Sequence, residues 1–151
     1  MLLTLTIYPN LLQACAFTKL PEDKAEALEI AFRVFDWLCS QPDLNADSYT
    51  YTILLSVCAN LLPKDDKATR YAHARAFFER CCEGGYVNDY VLRKLRQTVT
   101  EEDYLTLVDY RGDQSASGMP PSWTRNARIN YNMSQKGSRK AGNWNSRRGR
   151  K

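Results

Sequence analysis

The sequence predicts an all-α fold: an α-solenoid of two to three antiparallel helical hairpins, followed by a disordered basic tail. Three observations carry this. First, residues 49–88 repeat an earlier stretch. Moved back by 43 positions, Tyr51, Leu54, Leu55, Cys58 and Ala59 fall on Tyr8, Leu11, Leu12, Cys15 and Ala16, and Tyr71, Ala74, Phe78 and Cys81 fall on Leu28, Ala31, Phe35 and Leu38. A period of tens of residues with matching apolar positions marks a repeat architecture. Second, the spacing inside each copy is helical. Tyr51, Leu54, Leu55 and Cys58 form one stripe of a 3.6-residue helix, and Tyr71, Ala74, Phe78 and Cys81 form another. A lone two-helix hairpin cannot bury both stripes, so neighbouring units must stack. Third, the charge divides into two bodies. All 17 acidic residues lie at or before Asp113 with 12 of the 21 Lys and Arg, a net −5, whereas residues 114–151 hold nine cations and no acid.

In chain order, the first A helix is expected over about 8–18, with Pro9 tolerable only in its first turn, where a missing N–H is not needed. Residues 1–7 are apolar but too short to span a bilayer, and they lack the features of a signal or transit peptide. A terminal repeat should present a polar outer face. None is visible here, so further repeats or a targeting segment are expected ahead of Met1. The first B helix covers about 21–40. It is apolar on two faces, Leu28, Ala31, Phe35, Leu38 and Ala27, Ile30, Val34, Trp37, as a helix sandwiched between neighbours would be. Asp47 caps the second A helix, Asp65 or Asp66 caps the second B helix, and Gly84-Gly85 ends it. A third A helix over about 89–97 opens after Asn88. Thr100-Glu101-Glu102-Asp103 then starts a short last helix to about Tyr110, ended by Gly112. The helical domain is thus 1–112 and the tail 113–151.

The five cysteines and one histidine show no metal-ligand spacing, and the thiols read as small buried hydrophobes. Reduced thiols suit an intracellular compartment. No nucleophile–base set, phosphate loop or metal motif is present, so the expectation is a non-enzyme with no cofactor.

Asp47-Ser-Tyr-Thr-Tyr-Thr-Ile-Leu-Leu-Ser-Val-Cys-Ala, then Ala74, Phe77-Phe78, Glu83-Gly84-Gly85 and Asn88-Asp89, together resemble a pentatricopeptide repeat. Residues 8–48 match the same pattern less completely, and residues 89–112 resemble a degraded third unit. Met119-Pro-Pro-Ser-Trp-Thr-Arg-Asn looks like a segment that follows the repeats in some algal relatives, where Trp123 would dock on the last hairpin in place of a capping repeat. The resemblance implies single-stranded RNA as the partner and a mitochondrion or chloroplast as the location. It also implies base reading by the residue two after the helix A tyrosine, paired with the last residue of the unit. Those positions are Asn10 with Ser48, and Ile53 with Tyr90. The spacing exceeds the family's own period, and Ile53 cannot hydrogen-bond a base edge. Two or three units would read at most a few nucleotides.

The expected RNA contacts are therefore Asn10, Ser48 and Ile53 at reading positions, with Lys94 and Arg96 as groove cations. In the tail they are Arg125, Arg128, Arg139, Lys140, Arg147, Arg148 and Arg150. Tail cations interleaved with Tyr131 and Trp144 suit single-stranded nucleic acid. The same run also reads as a nuclear localisation signal or a solubilising tail. The alternative function is a protein-interaction scaffold, with a peptide or helix held in the groove and an exposed Ile53 contacting it. No membrane and no small-molecule substrate are expected as partners.

Overall fold

A computed structural model describes residues 2–42, 44, 46–108 and 115–127. Every element among them is helical: α1 (Leu2–Ala16), α2 (Pro21–Ser40), α3 (Ser48–Leu61), α4 (Lys67–Gly84), α5 (Asp89–Thr98), α6 (Glu101–Val108), a 3₁₀ turn (Ala116–Gly118) and α7 (Pro121–Thr124). No helix among the described residues is long and apolar enough to cross a membrane.

Local chemistry places most of the ends. The Asp47 carboxylate accepts from the Thr50 N–H at 2.9 Å, and the Asn88 side chain accepts from the Val91 N–H at the same distance. These equivalent caps fix a second repeat offset of 41 residues between α3 and α5. Asp66 caps α4 by accepting from the Thr69 N–H, and the Thr69 hydroxyl together with that N–H holds its carboxyl below the usual range. The Thr100 hydroxyl accepts from the Asp103 N–H at the start of α6. Helix α4 ends at Gly85, whose φ of 75° is left-handed. The Tyr86 and Gly85 N–H groups turn back to the carbonyls of Cys81 and Cys82, a Schellman closure.

One boundary departs from expectation. Helix α1 begins at Leu2, so Pro9 lies in its interior rather than its first turn. Residues 2–8 carry no charge or turn signal to stop a helix. The helix continues through Pro9 without the bond its N–H would have made.

The helices form two layers. α3 lies between α1 and α5, and α2 and α4 cover its back. In the second layer α2 meets α4 through rings: Phe77 stands edge-on to Phe35 at 5.2 Å, and Phe32 lies 4.9 Å from His73. Of the expected apolar faces of α2, Ala27, Ala31, Phe35 and Leu38 are buried, while Leu28, Ile30 and Val34 are half-buried and Trp37 is exposed.

The third unit is completed differently. α6 has only eight residues, and between it and α4 lies a cleft of about 480 Å³ lined by Tyr71, Phe78, Leu107 and Trp123. Trp123 stands edge-on to Phe78 at 5.7 Å, the contact Phe77 makes on Phe35 one repeat earlier. The same segment saturates the end of α4. Arg125 donates to the Glu83 carbonyl, and the Asn126 side chain and N–H donate to the carbonyls of Gly84 and Gly85. The Val87 N–H in turn donates to the Trp123 carbonyl. Residues 115–127 therefore belong to the folded body, beyond the expected boundary at 112. A Cβ at Gly85 would sit 2.5 Å from Arg125 Cγ, so the glycine serves both its left-handed φ and this contact.

Two predictions follow from the packing. Leu54 is fully buried whereas its repeat equivalent, Leu11, is 40% exposed. In chemical denaturation Leu54→Ala should cost about 2–5 kcal/mol and Leu11→Ala less than about 1 kcal/mol; equal costs would refute the packing described. Trp123→Ala should lose about 2 kcal/mol, and in a chain with Trp37→Phe and Trp144→Phe the remaining Trp123 emission should red-shift in the main unfolding transition. An emission change well before that transition would show that the segment is not part of the cooperative body.

Candidate functional site

On α3 the exposed or half-exposed side chains are Tyr49, Thr52, Ser56, Ala59 and Asn60, one stripe along the helix. Flanking helices and the second layer occupy its other sides, so this stripe marks the open face of the α1–α3–α5 layer. The repeat offset carries it to Tyr90, Arg93 and Gln97 on α5. On α1, Gln13 joins it, since the Tyr49 hydroxyl donates to Gln13 Oε1 at 3.4 Å.

Two features distinguish this face. The rings of Tyr49 and Tyr90, at equivalent positions on adjacent helices, are 52% and 63% exposed. The Arg93 guanidinium lies 5.7 Å from the Tyr90 ring centroid. The layer also carries almost no negative charge. α1 and α3 contain no charged residue, and the acids at the starts of α3 and α5 are both engaged: Asp47 caps α3 by accepting from the Thr50 N–H, and Asp89 accepts from the Ala116 N–H at 2.7 Å. The acids of the helices are otherwise carried by α2, α4 and α6. A flat ring on each of two neighbouring helices, with amides, hydroxyls and one guanidinium nearby, can stack planar groups and neutralise an anion.

Of the twelve expected contacts the structure describes six, and most of these six are held away from the open face. Ile53 is 6% exposed, not groove-facing. Its equivalent on α1 is Asn10, which is exposed, and what α3 has that α1 lacks is a preceding hairpin packed beside it. Ser48 is buried, and its hydroxyl donates to the Tyr86 carbonyl at 2.6 Å, so it joins two units and is not presented on the open face. Arg96 is tied at the edge of α5. It bonds Glu101 at 2.6 and 3.0 Å, holding that carboxyl below its usual range, and lies 5.0 Å from the Tyr104 ring centroid. Lys94, the register equivalent of Ile53, is half-buried. Arg125 belongs to the closure of α4 rather than to a free tail. Arg128, Arg139, Lys140, Arg147, Arg148 and Arg150 lie outside the described residues.

Sequence reasoning missed Tyr49, Tyr90 and Arg93 as a group. The available signal was the matched capping residue two positions before each tyrosine, which sets their common register.

The cysteines are free, and among the described residues no three His, Cys, Asp or Glu side chains cluster as a metal site requires. Burial pushes the Cys58 thiol up to about 12 and raises Cys15 and Cys81 as well. Cys39 corrects the expectation of uniformly buried thiols: it is exposed at the end of α2, where Arg80 Nη1 donates to its Sγ at 3.0 Å.

Comparison with family models, with curated proteins and with solved structures finds no match.

Thiolate is the reacting form of cysteine, and the folded Cys58 thiol keeps its proton well above the ordinary 9.0. Below pH 9 the native protein should therefore take up alkylating reagent rapidly at Cys39, while Cys15, Cys58 and Cys81 react only after denaturation. Between 9.0 and about 12 the unfolded chain loses the Cys58 proton and the folded one keeps it, so this thiol's contribution to stability fades as pH rises through that window. Peptide mapping by mass spectrometry checks the labelling; rapid native labelling of Cys58 would contradict its burial.

Proposed function

We propose that the chain is a non-catalytic, pentatricopeptide-like α-solenoid that binds single-stranded RNA along the open face of α1, α3 and α5. In this reading the basic stretch beyond residue 127 adds charge. The observation that carries it is the partition of charge between the layers. The helical body is acidic overall, but its open face is built from two helices with no charge and a third with a net positive one. A polyanion approaching that face meets rings, amides and Arg93. Stacking on aromatic rings is sequence-tolerant because every base has a π-face, which suits a face whose expected reading positions, Ile53 and Ser48, are buried.

The eight cations after residue 127 supply the non-specific, salt-dependent part of the affinity. In filter binding or fluorescence anisotropy with a short unstructured RNA, log K for the full chain should fall by about 0.7 per phosphate neutralised on a log-salt axis. Residues 1–127 should bind more weakly, with a flatter slope. Replacing Tyr49 and Tyr90 together by Leu should cost about 1–3 kcal/mol per ring and leave the slope unchanged. Arg93→Glu should flatten the slope by about one contact. Full affinity in the doubly substituted chain would refute binding at this face, and an unchanged slope in residues 1–127 would refute the role of the tail.

A further inference from the structure

The hydroxyls of the open face have already committed their protons. Thr52 donates to the Ser48 carbonyl at 2.8 Å and Ser56 to the Thr52 carbonyl at 3.0 Å, each one turn back along α3. The Tyr49 phenol donates to Gln13 Oε1. A hydroxyl has one proton and two lone pairs, so these three groups present acceptors to a ligand. Amide donors stand at the margins of the stripe. One is Gln13 on α1; the other is Asn60, which already donates to the Ala16 carbonyl at 2.9 Å and lies about 16 Å from Tyr49 along the helix axis.

The next A helix is different. The matched caps place Tyr90, Arg93 and Gln97 of α5 at the registers of Tyr49, Thr52 and Ser56. A guanidinium has five N–H donors and no acceptor, and that of Arg93 lies against the Tyr90 ring. One turn beyond each ring the chemistry is therefore opposite: lone pairs after Tyr49, donors after Tyr90.

We infer that the Tyr49 end of the face selects adenine or cytosine over uracil, with Thr52 and Ser56 as the specificity-determining residues. The inference rests on the reading of this face as the RNA site. Phosphate oxygens only accept, so the backbone finds no donor at Thr52 or Ser56 and is met by Arg93 instead. A base stacked on Tyr49 then turns its edge to α3, where Thr52 stands about 4.5 Å and Ser56 about 10 Å further along the axis. Adenine N6 and cytosine N4 donate at that edge, whereas the O4 carbonyl of uracil accepts. An amino N–H meets a hydroxyl lone pair with both helix bonds kept. A carbonyl is bonded only if a hydroxyl gives up its own helix carbonyl, which weakens binding by roughly threefold to tenfold.

Fluorescence anisotropy of the full chain with oligo(C) and oligo(U) of equal length, at neutral pH and one salt concentration, tests this. The two oligomers share phosphates and 2′-hydroxyls, so the comparison isolates the base edge. Oligo(C) should bind the more tightly by that factor. Thr52→Val with Ser56→Ala should bring oligo(C) to the level of oligo(U), with oligo(U) affinity, both salt slopes and the circular-dichroism melt as in wild type. Thr52→Ser keeps the hydroxyl and should keep the preference. A preference that survives the double substitution, or one lost in Thr52→Ser, overturns the inference. Equal binding of both oligomers by a chain still weakened by the Tyr49 and Tyr90 substitutions overturns the selectivity alone, and binding of neither oligomer overturns the RNA reading with it.

Discussion

The structure depends on covering α3. Nine of its 14 residues are buried, and it contains no charged side chain. An amphipathic surface helix buries one stripe; α3 must be enclosed on every side but one. That demand places α1 and α5 beside it and α2 and α4 behind. It also explains the polar tethers around it. Tyr8 and Thr50 bring their hydroxyls to 3.4 Å across the α1–α3 contact. On the other side Thr98 donates to the Leu55 carbonyl, and the buried Arg70 donates to the Thr98 carbonyl, satisfying a C-terminal carbonyl of α5. Such groups are tolerated in the core because each has a partner.

A stack of this kind has two ends, and the burial of an equivalent residue depends on which end it is near. Leu11 and Leu54 have the same chemistry and different surroundings, as do Asn10 and Ile53. At the α5 end the problem is solved within the chain, by a polar register position and by residues 115–127. The short α6 leaves Phe78 uncovered, and Trp123 supplies the missing ring. Meanwhile Arg125 and Asn126 take up carbonyls at the end of α4 that would otherwise lack donors. One segment thus meets an apolar and a polar need at once, which is why a short stretch with few aliphatic residues is held.

The helices and most of their caps were legible in the sequence because they rest on local rules: a 3.6-residue stripe, an Asp or Asn at the N-cap, a glycine at left-handed φ. Asp47, Asn88 and Gly85 act where those rules put them. Pro9 did not stop α1, because surroundings can override a local preference. The candidate site was less legible. Pattern identifies which positions are equivalent but not which of them a neighbour covers, so Ile53 and Ser48 looked available and are buried. Arg96 and Arg125 read as free cations from composition, yet each is committed to a partner distant from it in function: one to an ion pair and a ring, the other to a helix end. Tyr49 and Tyr90 became visible as a pair only once the caps fixed the offset between α3 and α5.

The arrangement of the layers also changes what the net charge means for a ligand. Averaged over the body, the net −5 weighs against a polyanionic ligand and toward a basic or apolar partner. Averages are the wrong quantity at this scale, because at physiological ionic strength exposed charges are screened beyond about 8 Å. A ligand on the open face responds to the side chains within that distance; α1 and α3 themselves hold none with charge, and the acid next to them, Asp47, is engaged in capping α3. The net charge therefore does not decide between RNA and a peptide on this face. The proposed RNA reading rests instead on the exposed rings of Tyr49 and Tyr90 and on the Arg93 guanidinium, 5.7 Å from the Tyr90 ring centroid.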